Sequence, residues 1–254
     1  MIKVIVIGTG NVGTHLCRAL DKARYSSQIQ LTAYYNRAQK KLEGVDAPLV
    51  TDLKNLPDAT LILLAVPDDV VAAVAEQLPA QATIIAHTSG SVAMQTLSNH
   101  KNHGVFYLPQ SFSISRTPNF GEITICLESS NDYVNSVLEM VAVPLSRKRA
   151  QINSKQRKKL HLAAVYINNF VNHCYTKASE IMDEAAIDSH LLDALMRETY
   201  DKAIDLSPKN AQTGPAVRND SKTIETHLQM LDKEDRDMYR SITKSIQKTH
   251  GKKL

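Results

Sequence analysis

Three glycines near the start of the chain constrain its fold more than any other feature. They follow the apolar, β-branched run Ile2–Ile7 and precede Thr14–Ala23, which has helical spacing. In a strand–turn–helix unit, such glycines permit a tight turn, let the backbone approach a pyrophosphate, and allow the helix to pack closely on the strand. The motif consists of Gly8, Thr9, Gly10, Asn11, Val12 and Gly13. It predicts a dinucleotide-binding turn; the alternative is a glycine turn in a Rossmann-like domain that binds no nucleotide.

Up to about residue 150, short β-rich runs alternate with helical stretches. The cleanest run is Thr60–Val66, which ends at Pro67 and is followed by helical spacing over Asp69–Leu78. Buried β runs that alternate with helices favour a mostly parallel, doubly wound sheet. The predicted strands are Ile2–Ile7, Gln30–Asn36, Leu49–Thr51, Thr60–Val66, Thr83–His87, Gly104–Leu108 and Ile123–Leu127.

After Ser154 the β pattern disappears. Apolar side chains at a spacing of three or four predict one helix over Ser154–Glu184, and further helices are expected over His190–Ile204 and Ile224–Ile246. The expected fold is therefore α/β, a Rossmann-type doubly wound, mostly parallel sheet followed by an all-helical C-terminal domain. We place the Rossmann domain at residues 1–152 and the helical domain, for substrate binding and dimerisation, at residues 153–254.

Composition excludes several classes of protein. Apolar residues make up 43% of the chain and charged residues 22%, as in ordinary globular proteins, and the net charge of +4 is too small to suggest nucleic-acid binding. The longest apolar run, Leu61–Val66, is far shorter than the roughly 20 residues that span a bilayer. The three cysteines form no Cys-x-x-Cys pair, and the first ten residues lack the features of a signal peptide. We expect a cytoplasmic protein without membrane or nucleic-acid partners.

The end of the second predicted strand indicates which dinucleotide is preferred. An acidic residue about twenty positions after the glycines would bind the ribose hydroxyls of NAD, but this chain has Asn36 and Arg37 there. Arg37 can pair with a 2′-phosphate, and Asn36 can hydrogen-bond the ribose. The sequence therefore predicts NADP(H); the alternative is a solvated basic helix start that continues to Lys40 and Lys41.

Loops that follow the other parallel strands line the ligand crevice of an open α/β sheet. Ala65, Val66 and Pro67 follow the fourth strand and are expected to contact the cofactor. Polar side chains after the fifth and sixth strands are candidates for substrate binding. They are His87, Ser89, Gln110 and Ser111. For each of them alone, turn or helix-cap chemistry is the alternative.

A polar strip on the first long helix is the candidate catalytic site. At 3.6 residues per turn, Asn168 lies about 20° around the helix from His161 and Asn169 about 80°. A histidine can donate a proton near neutral pH to a carbonyl or imine that receives a hydride. The alternative is that His161 and the asparagines hydrogen-bond loops, or each other across a dimer interface.

One loop of the helical half contains a candidate anion-binding residue. Arg218 lies in the Gly-Pro loop Ser207–Asp220 and can clamp a carboxylate or phosphate of the substrate. The alternative is that it pairs with Asp220 and only orders the loop. The nine histidines lack the spacing of zinc ligands, so no metal site is expected.

These motifs together resemble a family filed among NADP oxidoreductases, which pairs a Rossmann-like NADP-binding domain with a helical C-terminal domain of unknown function. Related groups are the deazaflavin-coenzyme-dependent NADP oxidoreductases, the ketopantoate reductases and the pyrroline-5-carboxylate reductases. The resemblance runs from residue 8 to residue 220. It rests on GTGNVG from Gly8, AVPDD from Ala65, HTSG from His87, LPQSF from Leu108, HLAAV from His161, NNF from Asn168 and TGPAVRND from Thr213.

The resemblance implies a homodimer formed through the helical domain. Wider relatives also place a catalytic lysine four residues before an asparagine of the first long helix, where this chain has Ala164 and Val165. We therefore expect an oxidoreductase that transfers hydride between NADP(H) and a small, anionic carbonyl or imine compound, with another group supplying the proton. Two alternatives stay open: a non-catalytic NADP(H)-binding sensor or assembly protein, and a reductase of a deazaflavin coenzyme.

Overall fold

The computed structural model describes residues 1–24, 28–78 and 83–250. Within it the chain divides into two compact units, Met1–Cys174 and Tyr175–Leu254. The domain boundary expected after residue 152 lies just before the first helix of the C-terminal half, and it stays a prediction. No helix in the described ranges is both long and apolar enough to cross a membrane.

An eight-stranded sheet forms the centre of the first unit. Its strands are β1 (Ile2–Ile7), β2 (Ile29–Tyr35), β3 (Leu49–Val50), β4 (Leu61–Leu64), β5 (Ile84–His87), β6 (His103–Tyr107), β7 (Ile125–Ser129) and β8 (Arg149–Gln151). The spatial order is β3-β2-β1-β4-β5-β6-β7-β8, and only the β6–β7 pair is antiparallel. The order reverses between β1 and β4, and ligands of such sheets bind outside the carboxyl ends of the strands at this point.

Helices cover both faces of the sheet. The helices of the first unit are α1 (Asn11–Ala23), α2 (Val71–Ala75), α3 (Asp132–Ala142) and α4 (Ser154–Ala164), which continues into a π-helical segment, Val165–Phe170. Leu16 of α1 and Leu138 of α3 belong to the core on one face, and Val71 of α2 belongs to the core on the other. Apolar burial on both faces explains why the strands are nearly continuous apolar runs. The predicted doubly wound α/β fold is confirmed.

Helices make up the regular structure of the C-terminal half. They are α5 (Val171–Glu184), α6 (Asp193–Leu206), α7 (Pro208–Ala211), α8 (Ser221–Met230) and α9 (Lys233–His250). Among the described residues from 175 onward, the buried apolar side chains are only Ala216 and Leu228. The second unit therefore has almost no core of its own.

The structure corrects four sequence expectations. The helix expected over Ile224–Ile246 is two helices, because the Asp232 side chain accepts the Asp235 N–H (2.9 Å) and begins α9. The helix expected over Asp69–Leu78 is a 3-10 turn followed by the five residues of α2. Ser154–Glu184 is helical, but the π-helical segment interrupts its α-helical register. The fourth correction is that α3 and β8, between residues 131 and 152, were not predicted.

Candidate active site

A crevice of about 600 Å³ lies at the carboxyl ends of the parallel strands. Loops that follow β1, β4, β5 and β6 line it, together with the end of α4 and the π-helical segment. The crevice brings together many of the site residues predicted from the sequence. They are Gly10, Asn11, Val12, Ala65, Val66, Pro67, Ser89, Gln110, Ser111, His161, Asn168 and Asn169.

The glycine turn has the geometry that a bound pyrophosphate requires. Gly8 has a φ of +97°, and a Cβ at Gly13 would overlap the Gly8 carbonyl oxygen, so neither position accepts a side chain. Gly10 is different: a Cβ there would meet nothing within 4 Å, and no side chain caps the N-terminus of α1 that begins beside it. An uncapped helix N-terminus attracts anions, and here the backbone in front of it is open. The turn therefore fits the diphosphate of a dinucleotide.

His161 is held against two elements of the first unit. Its Nδ1 lies 3.1 Å from the Tyr107 hydroxyl oxygen, and the two rings meet edge to face. A Cβ on Gly90 would come within 2.5 Å of the same Nδ1, so the imidazole packs directly on the backbone of the loop after β5. Burial, and next the neighbouring Cys126, raise the pKa of Tyr107 to about 12. Tyr107 therefore keeps its proton at physiological pH.

A completely buried arginine joins α4 to the loop that packs on His161. Arg157 donates hydrogen bonds to the backbone oxygens of Ser89 (3.0 Å) and Val92 (2.7 Å), and its guanidinium pairs with Glu128 of β7 (3.0 Å). It precedes His161 by about one helical turn, so it fixes the histidine and the loop relative to each other. Arg157, Glu128 and Tyr107 were not predicted from the sequence. The one available signal was that Arg157 extends the apolar spacing of the helix toward its N-terminus.

His87, expected to bind substrate, is buried beneath the crevice and does not line it. Its Nδ1 accepts the N–H of Ser89 at 3.2 Å. Burial, and then the charge of Arg157, lower the pKa of His87 to about 4, so the ring is neutral near pH 7. Ser89 lines the crevice, but its Oγ accepts the N–H groups of Ser91 and Val92, as the turn-capping alternative expects.

Three predicted residues lie away from the crevice wall. The Asn36 side chain is bonded to the backbone of Lys40, and the adjacent Arg37 is exposed. Arg218 is an exposed residue of the second unit. Hydrogen bonds from Thr223 lower the pKa of Asp220, and the charge of Arg218 contributes in the same direction. The two roles predicted for Arg218, anion binding and loop ordering, stay predictions.

The crevice wall carries little charge. Within the described ranges, Asp68 is its only Asp, Glu, Lys or Arg side chain, and that carboxylate accepts a hydrogen bond from Ser91. In the same part of the chain, no cluster of three His, Cys, Asp or Glu side chains could hold a metal ion. The polar side-chain groups that face the crevice are therefore hydroxyls, amides, one imidazole and the Asp68 carboxylate.

Two family descriptions match the chain. Residues 1–110 match a Rossmann-like domain, and residues 123–246 match the domain of unknown function DUF2520. No curated protein sequence matches it. Among solved structures, a Bacteroides fragilis protein named "putative NADP oxidoreductase" is 32% identical, with a TM-score of 0.87 over 97% of this chain and 98% of that chain.

More distant structures share the fold. A reductive aminase from Aspergillus terreus, in complex with NADPH and ethyl levulinate, is 13% identical with a TM-score of 0.75, covering 99% of this chain and 95% of that one. A Plasmodium falciparum pyrroline carboxylate reductase with NADP bound is 13% identical with a TM-score of 0.61, covering 98% and 97%. The full-length match to the B. fragilis protein carries more weight, because its identity exceeds 30%. The chain belongs to the family that joins a Rossmann-like domain to a C-terminal DUF2520 domain, the family to which the sequence motifs pointed.

Proposed function

We propose that the protein is an NADP(H)-dependent oxidoreductase that reduces a small carbonyl or imine compound. One observation carries the proposal: the open glycine turn and the Tyr107–His161 pair lie in the same crevice. We expect a dinucleotide whose pyrophosphate lies at Gly10 to extend through the crevice that also contains Tyr107 and His161. The B. fragilis relative, named as an NADP oxidoreductase, supports the same class of reaction.

The cofactor that we assign is NADP(H). Its pyrophosphate rests on the N-terminus of α1, where Gly8 and Gly13 keep the turn tight and Gly10 keeps it open. The exposed Arg37 is available for the 2′-phosphate, while Asn36 orders the loop through its bonds to Lys40. Ala65, Val66 and Pro67 form the adjacent apolar wall. NADP and NADPH are present in two solved structures that share the fold, which supports this assignment.

The chain's own residues contribute orientation and a proton. NADPH, when bound, supplies the hydride. His161 donates the proton to the oxygen or nitrogen of the substrate, since it is the imidazole that faces the crevice. Asn168 and Asn169, on the π-helical segment, orient the substrate or a water molecule. π-helical turns inside α-helices occur frequently at functional sites.

That the substrate is anionic is a separate part of the proposal. An anionic substrate needs a cation, and the described wall contains no lysine or arginine. Arg218 of the second unit is the residue that we assign to a substrate carboxylate or phosphate. Arg218→Gln should lower kcat/KM for anionic substrates more than for neutral ones, and a variant with the same preference for anionic substrates as the wild type would remove this part of the proposal.

Exposed apolar side chains of the second unit favour the proposal that the protein is a homodimer. Its exposed apolar side chains include Met196, Tyr200 and Ile204, which lie on one face of α6 at a spacing of four. An unpartnered apolar face of this kind is typical of an interface, and a second copy would give this unit the core that it lacks. In light scattering, Ile204→Glu should lower the mass to that of a monomer, whereas Ile114→Glu, at an exposed site of the first unit, should not. A wild-type monomer would contradict the proposal.

A non-catalytic NADP(H)-binding protein is the second candidate. Ala164 and Val165 favour it, because they occupy the positions where wider relatives carry a catalytic lysine. The two candidates differ in hydride transfer, not in nucleotide binding.

The test has two stages. NADPH and NADH are titrated separately by nicotinamide fluorescence, for which the absence of tryptophan leaves little protein background. Turnover of NADPH is then measured with a panel of keto acids, ketones and cyclic imines, using wild type and His161→Gln. Tight NADPH binding with turnover that His161→Gln lowers about 100-fold or more is expected. Binding without turnover favours the second candidate, and absence of binding overturns both.

A further inference from the structure

A tyrosine that was not predicted from the sequence contacts His161 in the crevice. Tyr107 is the last residue of β6 and lines the crevice together with His161. Its hydroxyl lies 3.1 Å from Nδ1, while the other ring nitrogen, Nε2, has no hydrogen-bond partner within the described residues. The two nitrogens of one imidazole are therefore in different situations: one is held by the protein, and the other is left for the crevice.

Two further contacts keep the ring from flipping about its Cβ–Cγ bond. Gly90 has no Cβ, and the imidazole occupies the space that a Cβ would need. Arg157, one turn earlier on α4, holds the loop that contains Gly90 through the carbonyl oxygens of Ser89 and Val92. A rotation of the imidazole by 180° would break its bond to Tyr107 and place a carbon atom against the hydroxyl.

We propose that Tyr107 is the positioning residue of the reaction: its hydrogen bond to Nδ1 makes Nε2 the nitrogen that carries and donates the proton to the substrate. The inference rests on the proposed function. When His161 is neutral, Tyr107 donates its O–H to Nδ1, because a phenol is a better donor than acceptor, and the ring proton is then on Nε2. When His161 is charged, the Tyr107 oxygen accepts from Nδ1–H.

The proton balance of the step is simple. In the reductive direction, the proton on Nε2 of the charged ring passes to the oxygen or nitrogen of the substrate, whose carbon receives the hydride supplied by NADPH. The imidazolium becomes an imidazole whose remaining proton is on Nδ1 and is donated to the Tyr107 oxygen. A proton from solvent then restores the charged ring, and no other group of the protein changes its charge. Tyr107 stays protonated throughout the step, because burial raises the pKa of its hydroxyl to about 12.

The second unit provides a matched control. Tyr239 and His227 form the same pair, with 2.8 Å between the hydroxyl and Nδ1 and the same edge-to-face arrangement of rings. Neither residue lines the crevice. Tyr107→Phe and Tyr239→Phe therefore remove the same hydroxyl from the same nitrogen in two different surroundings.

The first experiment needs neither cofactor nor substrate. Long-range ¹H–¹⁵N correlation spectra of the histidine side chains distinguish a protonated from an unprotonated ring nitrogen, and His161→Gln assigns the signals. At a pH where His161 is neutral, wild type should show its proton on Nε2 alone. Tyr107→Phe should show a mixture of tautomers at His161, and Tyr239→Phe should leave His161 unchanged. A proton on Nδ1 in the wild type, or a tautomer mixture already present there, overturns the proposal.

Kinetics then separate this proposal from the proposed function. With any substrate that the panel identifies, Tyr107→Phe should lower kcat about 10- to 100-fold and change KM less than about threefold, because binding contacts are retained. Turnover in wild type with an unchanged kcat in Tyr107→Phe contradicts the positioning role and leaves the function intact. A single Nε2–H tautomer in a protein without turnover contradicts the function and leaves the Tyr107–His161 contact in place.

Discussion

The two compact units differ in whether an ion pair is buried within them. In the first unit, Arg157 is completely buried and pairs with Glu128, which is itself almost buried. In the second, Lys177 pairs with Glu180 and Asp235 at the surface. Removing a charge from water is costly unless its partners are fixed. In the first unit, the buried pair holds one loop beside the candidate active site. Among the described residues of the second unit, no ion pair is buried in this way.

The units also differ in where the chain tolerates no side chain. Gly13 in the first unit has the Gly8 carbonyl oxygen where a Cβ would be, whereas Gly214 in the second has open space and only a positive φ of +108°. The glycine turn of the first unit is thus tightly packed. The second unit is a set of helices with many exposed apolar side chains.

The largest expected effect is at Gly13. Gly13→Ala forces the backbone of the glycine turn apart, so we expect the first unit to lose its cooperative thermal unfolding and the protein to lose NADPH binding. Gly214→Ala meets no atom and should cost only about 1–2 kcal/mol, the strain of a left-handed residue. Differential scanning calorimetry measures both variants. Equal losses from the two substitutions would show that the units are packed alike.

The second effect concerns the ion pairs. Arg157→Met leaves the Glu128 carboxylate without its charged partner, and we expect the free energy of unfolding to fall by about 3–5 kcal/mol. Lys177→Met, at the surface, should change the free energy of unfolding far less. Denaturant unfolding measures the difference between the two variants.

A double variant makes this test sharper. Arg157→Met combined with Glu128→Met removes both charges, and it should recover part of the stability lost by Arg157→Met alone. If the double variant is less stable than either single variant, the loss comes from packing and not from an unpaired charge.

Seven of the eight strands were predictable because each contains a short apolar run between turn residues. β8 was missed because its three residues, Arg149–Gln151, are mostly polar. α3 was missed although Val134, Leu138 and Val141 give it a buried apolar face at helical spacing. The break between α8 and α9 was missed for a related reason: Asp232 interrupts a pattern whose spacing continues on both sides. A local apolar pattern therefore does not reveal a strand as short and polar as β8, or a helix boundary that a single capping side chain sets.

The site divides in the same way. The residues of the glycine turn adjoin one another in sequence, so their geometry follows from a local motif. Tyr107 and His161 are 54 residues apart and Arg157 and Glu128 are 29 apart, so their contacts depend on the order of the strands. His87 was wrongly expected to face the crevice. It is the last residue of β5, near the crevice, but the loop at Ser89 covers it.

His87 gives the first unit a specific dependence on pH. Its pKa is about 4 in the folded protein, below the ordinary value of 6.5, so folding favours the neutral ring. This contribution to stability is present above about pH 6.5 and is lost as the pH falls through 4, and it amounts to roughly 3 kcal/mol at most. Urea unfolding of wild type and His87→Gln between pH 7 and pH 4 measures it. The wild type should lose more stability than the variant, and parallel pH profiles would contradict the assignment.

The smallest expected effect is at Arg37, and it tests whether the exposed part of the first unit contributes to selectivity. Arg37→Asp replaces a cation that can pair with the 2′-phosphate by a carboxylate that repels it, so NADPH affinity should fall about 10- to 100-fold. NADH has no 2′-phosphate, and its affinity should change by less than about threefold. Arg240→Asp makes the same charge change in the second unit and controls for net charge.

Because Arg37 is exposed, salt should screen its contribution, and the NADPH preference of the wild type should decrease as ionic strength rises. A preference that is unchanged in Arg37→Asp would place the 2′-phosphate elsewhere, while the residues that form the glycine turn would still account for binding of the pyrophosphate.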